Sequence, residues 1–324
     1  MKRDAIKFFK FKKSMRNLGY FETEENNSLI EDLKATIYEG GLIIVAGIVG
    51  VGKTTMLQRV QLELNQAKDI IVSQSCAIDK DKVKLTTLIE ALYCDLATEK
   101  DGKLPTNPEK RARQILEVMK KQRKPVVLFV DDAHGLYHQT LVGLKRLIEL
   151  VENNNAILSI VLVGHPKLKN DLQQPRLEEI GARVSGVFTL EGFYQSQKDY
   201  IEWLLMELTA HEVELNTFIT EEAIELLADK LVTPLQIKHY LTLVFEKAHE
   251  VGQRIVTAEL IQTILAGSLD DLEPQLIRQG YNTKVLADLL NTRQKTIRSF
   301  LQGQLTAVQA QDLKEKMLKV GIPL

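Results

Sequence analysis

One stretch constrains this chain more than any other: Gly47-Ile48-Val49-Gly50-Val51-Gly52-Lys53-Thr54-Thr55. Its spacing is GxxxxGK followed by Thr; it comes directly after the apolar run 42–46, and helical periodicity begins at about Lys53. Glycines let such a turn curl so that successive N–H groups converge at a helix N-terminus, a place suited to an anion. In a loop of this spacing the lysine reaches the β- and γ-phosphates of a nucleotide and the following hydroxyl ligates Mg²⁺. Gly47, Gly50, Val51, Gly52, Lys53, Thr54 and Thr55 are thus the expected nucleotide-binding residues, with ATP and Mg²⁺ as cofactors. The dinucleotide spacing GxGxxG is absent, which sets aside a nicotinamide-binding reading.

The order of elements predicts a parallel sheet. Strand-like runs at 42–46, 69–75, 126–130, 157–163 and 187–190 alternate with helical periodicity, and Asn107-Pro108 reads as the cap and first residue of a helix. Strands separated in this way make βαβ units with right-handed crossovers and helices on both faces of the sheet. After Gly192 the period is helical throughout, at about 195–210, 221–231, 234–250 and 258–265. Gly267-Ser268 followed by Asp270-Asp271 reads as a linker. The expected organisation is a basic segment 1–20, an α/β nucleotide-binding domain 21–192, a helical lid 193–266 and a linker with a small helix-turn-helix-like unit 267–324.

Two further strands end in polar residues. Asp131 and Asp132 close the run 126–130, so Asp131 is expected to hold Mg²⁺ through its water shell and Asp132 to polarise an attacking water. The fourth strand ends Val163-Gly164-His165, and its carboxyl end in such a sheet lies beside the first and third strands. His165 is the expected sensor of the γ-phosphate.

Composition excludes several classes. Of 324 residues 44% are hydrophobic and 26% charged, which fits a globular chain and not a disordered one. No apolar stretch approaches the roughly 18 residues a bilayer span requires. The basic start lacks the apolar core of a secretory signal, and two cysteines make no disulfide framework; the expectation is a cytoplasmic protein without a membrane segment. The net charge is −1, yet residues 1–20 carry net +6 and residues 281–324 net +4, a distribution compatible with a polyanionic partner.

Taken together, the chain resembles an AAA+ ATPase. The runs GGLIIVAGIVGVGKTT, LFVDDAHGL, VLVGHPKL and RLEEIGARV before VFTLEGF are similar to the group containing the TnsC, TniB and IstB transposition regulators and the secretion ATPase ExeA, over residues 20–266. The resemblance implies that Arg183, or alternatively Arg176, reaches the nucleotide of a neighbouring subunit, so a self-associated ring or filament is expected. It also implies double-stranded DNA, a transposase and a targeting protein as partners. Two departures stand out: the group usually has Asp-Glu where this chain has Asp131-Asp132, and a Pro-Arg lid sensor where it has Pro234-Leu235-Gln236. Lys238 or His239 is a substitute cation, and slow hydrolysis is the expected consequence. The other readings are an ExeA-like secretion-assembly ATPase and an initiator or signalling ATPase.

Residues 286–297 fit the helix-turn-helix pattern LAxxLGVSxxTI with Asn291 in the place of the turn glycine, a residue that tolerates the left-handed conformation. Arg293, Gln294, Lys295 and Arg298 then face outward as DNA-binding candidates; a plain protein-docking bundle is the alternative. Lys80, Lys82 and Lys84 form a second candidate DNA surface, and Lys120 and Lys121, with Arg123 and Lys124, a third.

Overall fold

The computed structural model describes residues 1–15, 18–75, 83–172, 177–192, 196–210, 213–265, 272–278 and 280–319. Five parallel strands, β1 (Gly41–Gly47), β2 (Ile71–Gln74), β3 (Val126–Val130), β4 (Leu158–Gly164) and β5 (Val184–Leu190), form one sheet in the order β2-β3-β4-β1-β5. The helices α2 (Glu24–Glu39), α3 (Lys53–Ala67), α4 (Leu85–Leu96), α5 (Pro108–Gln122), α6 (His138–Glu152), α7 (Pro166–Leu172) and α8 (Glu178–Gly181) accompany it, and α1 (Arg3–Phe8) precedes them. Next come α9 (Gln197–Thr209), α10 (Glu221–Lys230), α11 (Pro234–Glu250) and α12 (Ala258–Leu265). A final set is α13 (Leu272–Arg278), α14 (Thr283–Leu289), α15 (Gln294–Leu301) and α16 (Ala307–Lys319).

The central strands are apolar on both faces because both faces are covered. Leu42, Ile44, Leu128 and Ile160 point into a core completed by α4, α5 and α6, whereas Ile43, Val45, Phe129 and Val161 point into one completed by α2 and α3. Asn107 caps α5 as expected, its side chain accepting from the amides of Glu109 and Lys110 with Pro108 in the first turn. β4 lies between β1 and β3, so their carboxyl ends converge.

A third core joins α9, α10, α11 and α12. Residues 1–15, part of the segment 1–20 read from its charge as basic, contribute to it: Phe9 and Phe11 are buried, each with its ring 5.0 Å from that of Phe245 on α11. Lys13 pairs with Glu207 at 2.6 Å and Lys2 with Glu250 at 3.2 Å, so part of the segment's charge is neutralised within the chain. The reason is the apolar set Phe8, Phe9, Phe11 and Met15 interleaved among the cations, which a count of charge passes over. A fourth core holds Leu276, Tyr281, Leu286, Ile297, Phe300 and Met317. Asn291 joins α14 to α15 with φ +47°, the left-handed turn expected of it.

Among the described residues, no helix is long and apolar enough to cross a membrane. The linker 267–271 lies outside the described residues.

Candidate functional site

β1 delivers the chain to the loop 48–52, and α3 begins at Lys53 with Gly52, in the left-handed region at φ +104°, as its cap. Gly50 also has positive φ, +82°, and a Cβ there would fall 2.5 Å from the Leu235 Cβ. Only glycine meets both demands. The close approach is the first turn of α11 resting on the loop, and the Leu235 amide donates to the Gly50 carbonyl at 3.2 Å. Thr233 caps α11 reciprocally with Gln236, which fixes that turn.

Lys53 folds back along the loop. Its ammonium donates to the carbonyls of Gly47 at 2.8 Å and Ile48 at 2.9 Å. Burial holds its pKa below the ordinary lysine range, while the carboxylates of Asp131 and Asp132 push the other way. Asp131 follows β3 directly: its Oδ1 accepts from the Asp132 amide at 2.9 Å and its Oδ2 from the Thr54 hydroxyl at 3.2 Å. Asp132 sits at φ +54°, a left-handed conformation that Asp tolerates better than most residues. Lys53, Thr54, Thr55, Asp131, Asp132 and His165 line one cleft, closed on its far side by Pro234, Leu235 and Lys238. The structure therefore brings together the phosphate loop, the acidic pair and His165 in one chain.

Sequence reasoning missed a second recess that shares Gly52, Thr55, Pro234 and Lys238 with the cleft. Gly19, Tyr20, Phe21, Tyr200 and Trp203 line it, with the Phe21 ring 5.3 Å from Tyr200 and 5.4 Å from Trp203. Arg59 stacks over Tyr20 at 4.8 Å, and burial, against the pull of Arg59, raises the Tyr20 pKa. The signals were the Tyr20-Phe21 pair just ahead of α2 and the chain's one tryptophan. Lys238, weighed as a substitute for the missing lid arginine, lines both recesses, and burial depresses its pKa.

Arg183 is elsewhere. It precedes β5 at the amino end of the sheet, half exposed and paired with Glu149 at 3.2 Å. β5 runs parallel to β1 from Leu42↔Val184 to Gly47↔Leu190, so Arg183 is separated from its own phosphate loop by the length of a strand, about 20 Å. Arg176, Lys80 and Lys82 lie outside the described residues; Lys84 is exposed just ahead of α4. Lys120 donates to Asn154 at 3.0 Å, Lys121 to Asp101 at 2.6 Å and Lys124 to the Lys68 carbonyl at 2.7 Å, so these three lysines of the cluster are partnered within the chain. Arg293, Gln294, Lys295 and Arg298 are all exposed on α15 and its cap, while Ile297 and Phe300 turn inward.

Residues 36–172 match the family model described as an AAA domain. The chain has the P-loop AAA+ fold. The structure is similar to the Aeropyrum pernix ORC2 protein solved as ADPNP–ADP complexes, with a TM-score of 0.60 at 13% identity over 97% of this chain and 86% of that one. It is also similar to Cdc6p from Pyrobaculum aerophilum (0.54, 17%, 94% and 82%) and to a RuvB variant from Thermotoga maritima (0.51, 16%, 92% and 86%). At these identities the likeness concerns the fold. In sequence, 155 residues are 28% identical to General secretion pathway protein A of Aeromonas hydrophila, 47% of this chain and 27% of that protein. The chain thus spans about a quarter of the length of the curated relative it matches.

Proposed function

We propose that this chain is an ATP-driven, DNA-binding AAA+ regulator of DNA transposition, which assembles on target DNA with ATP bound and recruits or activates a transposase. The domain division at 192 and 266 stands as part of that reading. The observation that carries its nucleotide half is the convergence of Lys53, Thr54, Asp131, Asp132 and His165 on one cleft beside a recess lined by aromatic rings. In this reading the triphosphate replaces the Gly47 and Ile48 carbonyls as the partner of Lys53, and the base enters between Tyr20, Phe21 and Trp203.

The donor set suits Mg²⁺. Thr54 and Asp131 offer hard oxygen donors 3.2 Å apart, and among the described residues no group of three His, Cys, Asp or Glu forms a cage. Mg²⁺ takes one or two protein oxygens and fills the rest of its shell with water and phosphate. When bound it neutralises charge on the phosphate oxygens. Asp132 then orients the attacking water, with a side chain shorter than Glu by one carbon–carbon bond, about 1.5 Å. Lys238 supplies the lid's cation. Arg183 acts on a neighbouring subunit, since its own phosphate loop is out of reach. Slow turnover follows, and the ATP state persists on DNA.

DNA contact falls to the exposed α15 set and to Lys80, Lys82 and Lys84. A second reading, a secretion-assembly ATPase, is favoured by the match to General secretion pathway protein A. The two separate on duplex DNA: fluorescence anisotropy with a non-hydrolysable ATP analogue should show analogue-dependent binding, and the cognate transposase should co-purify with the complex. Nucleotide binding without DNA affinity at low salt removes the transposition reading and leaves the secretion one.

A further inference from the structure

The C-terminal helices do not hang apart from the nucleotide cleft; they rest on one of its residues. Gly280, at φ +87°, lies flat against His165, and a Cβ at that position would fall 2.7 Å from the His165 Cβ, 2.8 Å from its Cγ and 2.9 Å from its Cδ2. The fit leaves no room for a methyl group. The next residue, Tyr281, is 1% exposed, and its hydroxyl accepts a hydrogen bond from the Asn170 Nδ2 on α7, the helix that begins directly after His165. Burial pushes the Tyr281 phenol up to about 12, so it stays protonated and serves Asn170 as a neutral partner. The residue after that, Asn282, caps α14 by accepting from the Val285 amide at 3.0 Å. Three consecutive residues therefore press on the imidazole, anchor to α7 and start the helix that leads through Asn291 to Arg293–Arg298.

We propose that Gly280 and Tyr281 are positioning residues for His165: the C-terminal unit fixes the imidazole against the cleft and so sets how strongly the protein distinguishes a triphosphate from a diphosphate. This rests on the reading of the cleft as a nucleotide site. The contact works in both directions, because coupling between two sites is reciprocal. A γ-phosphate that holds the imidazole at the cleft steadies the surface on which Gly280 lies, and the seat of the C-terminal unit tightens.

The test uses the full chain and the ratio of affinities for a non-hydrolysable ATP analogue and ADP, measured by calorimetry. Tyr281→Phe removes the hydroxyl and keeps the ring. It should lower the analogue-over-ADP preference threefold or more, with ADP affinity and melting temperature close to those of the parent. His165→Ala should lower the preference at least as much, and Tyr281→Phe should add nothing in that background, as for two residues acting through one contact. Asn170→Ala, which removes the same hydrogen bond from the other side, should reproduce Tyr281→Phe. Hydrogen exchange at residues 281–290 should slow when the analogue replaces ADP in the parent protein. If Tyr281→Phe leaves the preference unchanged, or lowers it equally with and without His165, the positioning role is wrong. If the parent binds neither nucleotide, the reading of the cleft falls and this inference with it. If it binds both and His165→Ala changes nothing, only the inference falls.

Discussion

At the carboxyl ends of β1, β3 and β4, the polar residues Lys53, Thr54, Asp131, Asp132 and His165 all face one cleft. At the amino end of the same sheet, Lys120, Lys121, Lys124 and Arg183 each hold a partner within the chain, and the first three tie down loops and helix ends. Both ends are rich in charge, yet only one is built to receive a small anion. The direction of the strands decides which: loops and helix N-termini, with their unsatisfied N–H groups, gather where the strands end. Arg183 is the exception at the amino end. Its pair with Glu149 is half exposed, and exposed pairs contribute only about 0–1 kcal/mol. Lys145 stands 3.8 Å from the same carboxylate, so Arg183 can leave without stranding Glu149. The carboxyl end gathers its polar residues within one subunit, whereas the proposed function gives Arg183 at the amino end a role towards another.

The largest break in this contrast comes from Lys53→Ala. With the point charge gone and nothing else in the loop to replace it, ATP affinity should fall by about 100-fold or more, near 3 kcal/mol, with the fold intact by circular dichroism. Calorimetry showing parental affinity would move the phosphate site elsewhere. Asp132→Asn should keep nucleotide affinity within about twofold and lower turnover by about 100-fold, the lower end for loss of an acid–base group; steady-state phosphate release reads it. On the DNA side, removing Arg293, Lys295 and Arg298 together should flatten the log–log salt dependence of affinity by up to about 3 units, since each phosphate contact releases counterions. If slope and affinity both hold, α15 faces protein and not DNA. The smallest effect is expected from Lys120→Ala with Lys121→Ala, because those ammonium groups already have partners: DNA affinity should stay within about twofold of the parent by the same anisotropy assay.

The parallel sheet was legible because β1, β3 and β4 are continuous apolar runs, and the phosphate loop because its spacing is local. β5 begins at Val184, three residues before the expected 187, since alternating exposure and Gly186 mask an edge strand. The aromatic recess was not legible: Tyr20, Trp203 and Pro234 are far apart in sequence and meet only when α9 and α11 fold over the loop. Nor was the place of Phe9 and Phe11, hidden among the cations of the first segment. The seat of Gly280 on His165 joins residues 115 apart, and no periodicity announces such a contact.

The claim that the two ends of the sheet belong to one site made by two subunits is tested most directly by mixing. Arg183→Ala subunits keep an intact cleft and lack the cation; Lys53→Ala subunits keep the cation and lack the cleft. With ATP and duplex DNA present, each preparation alone should hydrolyse slowly or not at all. An equimolar mixture should exceed the average of the two several-fold, because some interfaces then pair a working cleft with a working Arg183. A mixture that only averages its components, or an Arg183→Ala protein as active as the parent, would contradict the account.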